Sequence, residues 1–328
     1  KEFKLADISE LPDAAMTSLP CYVGAVSELP ESEELKYDLL PQLGYEAILL
    51  AYECLQKEIG QTFDAVIPVE MGGANTAVAF YTAAMNDHVI LDADLCGRAV
   101  PEVTHSTYHF HDIPISPIMT SNEFGETFLC RDVSNSMRAE TVLRALAQVS
   151  RNDLATVSSA LPLGDVKNAV IPGTVSGALE LGSQWRKTRD EGGDVAQAVA
   201  DSGQGFVAFR GTVTATDWQT VDGFTKGEFS LAGTGHFECS TYRVLIKNEN
   251  MAAWLNDEVD ATIPDLICVL DTETGEPVTN PHTKVGQQLA IVVLPAHEAF
   301  RSETALSVFG PRFIGLDQDY APAQRGDR

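Results

Sequence analysis

The sequence predicts an α/β N-terminal domain with a parallel β-α-β unit, followed by a β-rich C-terminal domain. Apolar residues at helical spacing end near Gly60, and two short apolar runs, Asp64 to Glu70 and His88 to Asp94, then flank a second helical stretch. Beyond about Gly205 the chain changes to short β-rich runs separated by turns. We therefore expect domains at residues 1–165 and 166–328.

The β-α-β unit is expected in the first third of the chain. A helix from Tyr45 to Glu58 precedes it, and Asp64 to Glu70 forms its first strand. Asn75 has the chemistry of an N-cap for a helix from Thr76 to about Met85, and His88 to Asp94 forms the second strand. A right-handed crossover would make these strands parallel, so that their carboxyl ends share one sheet edge.

The elements after this unit are predicted from shorter patterns. Val103 to Ile113 alternates in the manner of a strand, and Ser136 to Val149 has helical spacing. A strand, turn and helix from Ala169 to about Asp190 open the second domain. The β-rich runs that follow are Phe206 to Thr216, Phe229 to Ala232, Tyr242 to Lys247, Leu266 to Asp271 and Gln288 to Leu294.

Composition limits the classes of partner. The 328 residues include 47 Asp and Glu but 22 Lys and Arg, which gives a formal net charge of -25. Such a surface repels phosphate backbones and anionic lipids, so we expect neither nucleic acid nor membrane as a partner. No apolar run approaches the ~20 residues that span a bilayer, and no signal peptide opens the chain, so a cytoplasmic protein is expected. Because the first residue is Lys1, we expect that the natural N-terminus precedes it.

The candidate site lies where the two predicted strands end. Glu70 is followed by Gly72, Gly73 and Asn75, and the second strand is followed by further charged residues, which together are Asp92, Asp94 and Arg98. Ligands of open α/β sheets bind at such an edge, where helix N-termini present free N–H groups. The Gly-Gly turn and helix start would bind a carbonyl or carboxylate, while Glu70, Asp92 or Asp94 would act as general base or accept a ring N–H. Arg98 would clamp an anion. The alternative is purely structural: a tight turn, a helix cap and an Asp94–Arg98 ion pair.

Histidine and cysteine provide weaker candidates. His109 and His111 have the H-x-H spacing with which two strand imidazoles reach one zinc ion. A third ligand would have to come from Asp92, Glu102, His236, His282 or His297, none of which the sequence places. We therefore favour hydrogen-bonded histidines over a zinc site. Cys96 is near the candidate site, but its acidic surroundings disfavour a thiolate, so a packing role is preferred. The six cysteines are widely spaced and are expected to be reduced.

Three blocks of sequence form a recognisable set: PVEMGGANTAVAF (Pro68 to Phe80), LDADLCGRAVPE (Leu91 to Glu102) and DLICVLDTETGEPV (Asp265 to Val278). In this order they resemble the S-methyl thiohydantoin desulfurase family, and the resemblance extends over essentially the whole chain. It implies an α/β N-terminal and a β-rich C-terminal domain, and an association with hydantoin, thiohydantoin or 5-oxoproline metabolism beside hydantoinase/oxoprolinase-type proteins. Residues on the shared pattern are Glu70, Gly72, Gly73, Asn75, Asp94, Gly97, Arg98 and Glu102.

Three hypotheses follow. The first is an enzyme that attacks a small cyclic amide or imide with water, with Glu70 and Asp94 as catalytic residues and Gly72, Gly73, Asn75, Asp92, Arg98 and Glu102 as substrate-binding residues. The second is a noncatalytic subunit of a hydantoinase/oxoprolinase-type enzyme. The third is a metal-dependent amidohydrolase that uses zinc on His109 and His111. A homo-oligomer is compatible with all three.

Overall fold

The computed structural model describes residues 2–25, 35–44 and 46–324. The chain forms two compact units, Lys1–Ser176 and Gly177–Arg328. Among the described residues, no helix is long and apolar enough to cross a membrane. All six cysteines are free thiols.

The first unit is a mixed α/β structure. Its strands in the described residues are β1 (Lys4–Ala6), β2 (Met16–Gly24), β3 (Ala65–Val66), β4 (Val89–Leu91), β5 (Ala93–Asp94), β6 (Ile118–Ser121), β7 (Thr127–Cys130), β8 (Asp153–Pro162) and β9 (Ile171–Pro172). Its helices are α1 (Glu46–Ile59), α2 (Gly73–Asn86), α3 (Thr107–Phe110), α4 (Ser136–Gln148), α5 (Leu163–Val166) and the start of α6 (Thr174–Asp190). The residue predicted to begin the first helix, Tyr45, lies outside the described residues.

Seven of these strands form one sheet in the order β1-β4-β3-β2-β8-β6-β7. The first four are joined by parallel pairs, and β2, β8, β6 and β7 are joined by antiparallel pairs. Helix α2 lies between β3 and β4 in the chain, and these two strands pair in parallel. The sheet therefore includes parallel strands within a larger mixed arrangement.

Helices cover both faces of this sheet. The apolar stripe of α1 includes Ile48, Tyr52 and Leu55, all fully buried, and it packs with α2 against residues of β3, β4 and β8. On the other face, Ala139, Leu143 and Ala147 of α4 pack against β2, β6 and β8. Spacing of three and four residues places each set on one side of its helix, which explains why these stretches become helical.

Both predicted strands of the candidate site are shorter than expected. The run from Asp64 to Glu70 is a strand only at Ala65–Val66, because Pro68 has no backbone N–H to continue the ladder. The run from His88 to Asp94 divides into β4 and β5 at Asp92. Strand β5 leaves the large sheet and pairs with β9 in a separate two-stranded sheet. The prediction that Asp94 ends a parallel neighbour of the first strand is therefore wrong.

The stretch from Val103 to Ile113 is not a strand. It contains the short helix α3, and the hydroxyl of Ser106 accepts a 3.4 Å hydrogen bond from the amide of His109 at the start of that helix. A capping side chain outweighs the two-residue alternation here, because the alternating side chains have no neighbouring strand with which to pair.

The second unit is built on a seven-stranded antiparallel sheet. After α6 and α7 (Val195–Ser202), its strands are β10 (Phe206–Val221), β11 (Phe224–Gly233), β12 (Thr241–Lys247), β13 (Glu249–Leu255), β14 (Glu258–Thr262), β15 (Leu266–Asp271) and β16 (Gln288–Leu294), and α8 (Glu303–Val308) follows. The sheet order is β14-β13-β12-β11-β10-β16-β15. The predicted bounds of β15 and β16 are confirmed, and the β-rich character of this region is confirmed with them.

The sheet of the second unit also has a core on each face. Phe209, Phe229 and Tyr242 belong to a large apolar cluster on one face, and Phe209 and Tyr242 stack with ring centroids 4.8 Å apart. Helix α7 packs its buried alanines and valines against Leu270 and Val292 on the other face. Alternation along each strand supplies both faces.

Candidate functional site

Glu70 is the centre of the candidate site. Its side chain is 9% exposed, and each carboxylate oxygen accepts a hydrogen bond. Oε1 accepts from Nδ2 of Asn75 at 2.7 Å, and Oε2 accepts from the amide of Val100 at 2.7 Å. Burial raises the pKa of Glu70, whereas the two hydrogen bonds and the charge of Arg98 act in the opposite direction. The carboxylate is thus held in one orientation with its basicity increased.

Asn75 does not cap the helix as predicted. The N-cap of α2 is Gly72, which makes no side-chain capping bond, and Asn75 lies within the first turn. Its Oδ1 accepts from the amide of Tyr22 at 2.8 Å, and its Nδ2 also donates to the carbonyl of Tyr22 at 3.3 Å. The side chain therefore links strand β2 to Glu70, and this use requires both ends of its amide.

The start of α2 leaves backbone donors next to this carboxylate. Gly73 and Ala74 are exposed, and the amides of a first helical turn have no partner within the helix. A Cβ atom at Gly72 would lie 3.2 Å from Cβ of Ala99 and 3.3 Å from Oε1 of Glu70. Glycine at this position allows the loop and the carboxylate to approach the helix end closely, and the helix dipole makes that end favourable for negative charge.

Asp94 lies nearby but is completely buried, with 0% exposure. Its Oδ2 accepts from the amides of Cys96 at 3.0 Å and Gly97 at 2.7 Å. Burial, with a smaller contribution from the negative charge of Glu70, raises the pKa of Asp94 to about 7, although the amides of Cys96 and Gly97 and the side chain of Thr174 act in the opposite direction. The carboxylates of Glu70 and Asp94 therefore influence each other electrostatically, although Glu70 alone contacts solvent.

A third buried carboxylate holds the same loop. In loop 94–103, the amide of Val103 donates to Oε2 of Glu140 at 3.0 Å. Arg144 donates to Oε1 of Glu140 at 2.8 Å and to the carbonyl of Pro101 at 3.0 Å. Glu140 and Arg144 are absent from the predicted site, although their i, i+4 spacing in a helical stretch is the usual sign of a side-chain pair.

The remaining predicted residues have mixed positions. Arg98 is buried, and its Nε donates to the carbonyl of Ala99 at 2.9 Å. Glu102 is half-buried and accepts from the hydroxyl of Thr104 at 3.4 Å. Oδ1 of Asp92 accepts from the amide of Ser176 at 2.9 Å, in the first turn of α6. The structure thus brings Glu70, Gly72, Asn75, Asp94 and Arg98 together, whereas Asp92 is used at a different helix.

The histidine and cysteine candidates are also placed. His109 lies in α3 and His111 follows it as the C-cap, so the strand geometry on which the H-x-H prediction depended is wrong. Within residues 2–25, 35–44 and 46–324, no group of three or more His, Cys, Asp or Glu side chains is arranged to hold a metal ion. Cys96 is buried, with Sγ 3.2 Å from the carbonyl of Val69 and 3.3 Å from that of His105. These contacts are those of a packed thiol.

Two family models together match residues 1–323 of the chain. The model described as "S-Me-THD-like, N-terminal domain" matches residues 1–132, and "S-Me-THD-like, C-terminal domain" matches residues 133–323. The chain belongs to the S-Me-THD-like family. This membership confirms the resemblance found in the sequence motifs, and loop 94–103 and the Gly72-Gly73 turn both lie in the S-Me-THD-like N-terminal domain.

A solved structure shows the same fold. The crystal structure of a protein from Chromobacterium violaceum aligns with 98% of this chain and 88% of its own chain, with a TM-score of 0.76 and 23% sequence identity. No curated protein matches the chain. At 23% identity, this similarity establishes only the fold of the S-Me-THD-like chain.

Proposed function

We propose that this S-Me-THD-like protein is an enzyme that hydrolyses the exocyclic C–S bond on a small five-membered ring of the hydantoin type, with S-methyl thiohydantoin as the substrate. Family membership supports the class of ring. The observation that carries the proposal is the position of Glu70, held by Asn75 and Val100 beside the exposed first turn of α2. A carboxylate of raised pKa next to free helix amides combines a base with donors for developing negative charge.

The proposed step is attack of water on the ring carbon that bears the methylthio group. Glu70 accepts a proton from water as the new C–O bond forms, and the electrons of the ring C=N bond pass to nitrogen and the adjacent ring carbonyl. The amides at Gly73 and Ala74 stabilise the negative charge on that carbonyl oxygen. The electron pair on nitrogen then re-forms the ring C=N bond as the C–S bond breaks, and Glu70 returns its proton to sulfur. The proton of the new C–OH group moves to the ring nitrogen, which gives the ring carbonyl. The products are the ring carbonyl compound, hydantoin, and methanethiol, so one water is consumed for each thiol released.

The remaining site residues position Glu70 and the loop beside it. Asp94 is sealed from solvent, so its proposed part is to hold Cys96 and Gly97 and thereby loop 94–103, and not to touch the substrate. Arg98 places a positive charge beside Glu70. Asn75 fixes the orientation of the carboxylate, and its side chain has no donor left for the ring. This scheme assigns catalysis to Glu70 in preference to Asp94.

The test is an assay for both products. The purified chain is incubated with S-methyl thiohydantoin, hydantoin or 5-oxoproline in ¹⁸O-labelled water, and methanethiol and ring products are quantified. We expect equal amounts of methanethiol and hydantoin from the first compound, with one ¹⁸O atom in each hydantoin formed. Absence of methanethiol release from S-methyl thiohydantoin would overturn the proposal.

A second candidate function is a noncatalytic subunit of a hydantoinase/oxoprolinase-type enzyme. The observation that favours it is that Glu70, Asp94 and Glu140 all accept hydrogen bonds from backbone amides of a single loop, as structural carboxylates do. Co-purification distinguishes the two functions. A stable complex in which the partner alone turns over cyclic amides supports the subunit, whereas turnover by the isolated chain excludes a purely noncatalytic role.

A further inference from the structure

Ala99 is a residue of loop 94–103 that lies against the carboxylate of Glu70. The peptide bond between Ala99 and Val100 directs its N–H to Oε2 of Glu70, at 2.7 Å. A Cβ atom placed on Gly72 would lie 3.2 Å from Cβ of Ala99 and 3.3 Å from Oε1 of Glu70. The peptide group after Ala99 therefore contacts one oxygen of the carboxylate, and the methyl group of Ala99 borders the same point as the other.

The position of Ala99 is fixed by hydrogen bonds on each side of it. Nε of Arg98 donates to the carbonyl of Ala99 at 2.9 Å, so this carbonyl and the next amide are both bonded. Further along the loop, Arg144 donates to the carbonyl of Pro101 at 3.0 Å. A methyl group on a backbone held in this way limits the size of any ligand group that binds beside it.

The residues around this point are accessible to a ligand. Ala99 and Gly72 are half-buried and Gly73 is exposed, whereas Asp94 at the start of the same loop is completely buried. A ligand at the start of α2 therefore meets an apolar methyl group next to the carboxylate of Glu70. This contact gives the site a means of selecting a ligand that hydrogen bonds alone do not provide.

The proposed reaction places one substituent of the ring beside Ala99. The carbon that is attacked by the water on Glu70 carries the alkylthio group, so this substituent is the one nearest to the carboxylate. An S-alkyl group is apolar, and its sulfur is only a weak hydrogen-bond acceptor. A methyl side chain suits such a group, whereas the carbonyl that replaces it in the product gains no hydrogen bond from alanine.

We infer that Ala99 is a specificity-determining residue, whose methyl group contacts the S-alkyl group of the substrate and restricts that group to methyl. The inference rests on the proposed function, because it identifies the substituent by its distance from the attacked carbon. It adds the class of ring that the site rejects, which is one with a larger alkylthio group. Ala99 takes no part in proton transfer, so its replacement changes which ring is turned over while the base stays in place.

The size of the side chain at position 99 should set the preference between S-methyl and S-ethyl thiohydantoin. We expect Ala99→Gly to raise the ratio of kcat/KM for the S-ethyl over the S-methyl ring about tenfold, and Ala99→Val to lower it about tenfold. One methylene group in an apolar contact changes selectivity by roughly 10- to 200-fold. Ala84→Gly and Ala84→Val are matched controls, because Ala84 is also half-buried but lies in the last turn of α2.

The measurement is release of methanethiol and ethanethiol by the full chain and the four variants, with a thermal unfolding midpoint for each. Opposite shifts of the ratio in the two Ala99 variants, with the ratio unchanged in the Ala84 variants, support the inference. Ala99→Gly alone decides the question if Ala99→Val does not fold. An unchanged ratio in folded Ala99 variants that still release methanethiol overturns the inference and leaves the proposed function intact. Absence of thiol release by the wild-type chain overturns both.

Discussion

The backbone amide of Val100 donates a 2.7 Å hydrogen bond to the carboxylate of Glu70, which lies 30 residues earlier in the chain. Asp94 accepts amides of the same loop near its beginning, and Glu140 accepts the amide of Val103 at its end. Loop 94–103 is therefore held at three places by buried carboxylates. Because Glu70 also contacts the start of α2 through Asn75, the position of this loop and the geometry of the candidate site are linked.

Replacement of Asp94 by Asn should remove one component of the pH dependence of stability. The folded-state pKa of Asp94 is raised to about 7, above the value of about 4 expected for the unfolded chain. Between these pH values the folded state binds more protons, so the free energy of unfolding of the wild type falls as pH rises, by at most about 4 kcal/mol for this group. Above pH 7 the wild type carries the full loss of stability that ionised Asp94 causes.

Denaturant unfolding of wild type and Asp94→Asn between pH 4 and pH 8 measures this component. We expect the variant to gain stability relative to wild type as pH rises, because a neutral Asn can still accept the amides of Cys96 and Gly97. A stability difference that is constant over this range would show that Asp94 does not titrate there.

Gly72 and Gly73 should respond in opposite ways to replacement by Ala. A methyl group at Gly72 meets Ala99 and Glu70 at 3.2–3.3 Å, so loop and carboxylate must move by a few tenths of an ångström. A Cβ atom added at Gly73 would have no neighbouring atom within 4 Å, and Ala is preferred over Gly in a helix by up to about 1 kcal/mol. We expect the thermal midpoint to fall for Gly72→Ala and to rise for Gly73→Ala. Equal shifts would argue against a close approach at Gly72.

Removal of Arg144 should destabilise the first unit more than removal of the whole ion pair. Arg144→Met leaves Glu140 buried without its cation and removes the donor to Pro101, at an expected cost of about 3–5 kcal/mol. In the double variant with Glu140→Met the unpaired charge is gone, so part of this loss should be recovered. Chemical denaturation of the two variants tests the order, and hydrogen exchange at Val103 reports whether loop 94–103 opens. A double variant less stable than Arg144→Met would contradict this account.

The sequence predicts those helices and strands in which the apolar residues recur with one clear period. Helix α4 and strands β15 and β16 have clear periodicity and match their predictions closely. Strands β2 and β8 were not predicted, because β2 contains Pro20, and β8 ends in Pro162 and contains two serines, which weaken a strand pattern. These two strands pair with each other over most of their length, and this pairing stabilises a strand conformation that their own composition does not favour.

The sequence predicts the part of the candidate site that depends on local patterns. Glu70 and the glycine turn follow from the end of a short apolar run, and the structure does bring Asp94 and Arg98 near them. The use of each side chain depends on partners that are distant in sequence. Asn75 bonds Tyr22, 53 residues away, and Arg144 bonds the carbonyl of Gly24, 120 residues away, so no local pattern contains these contacts.

The most direct test of the proposed function is methanethiol release from S-methyl thiohydantoin by Glu70→Gln. The amide keeps the shape of the side chain but cannot accept a proton from water, so we expect turnover to fall at least about 100-fold, with loss of the acidic limb of the pH–rate profile. Asp112→Asn, which changes an exposed carboxylate elsewhere in the first unit, is the matched control and should retain wild-type turnover. Wild-type turnover by a folded Glu70→Gln variant would contradict the assignment of Glu70 as the base.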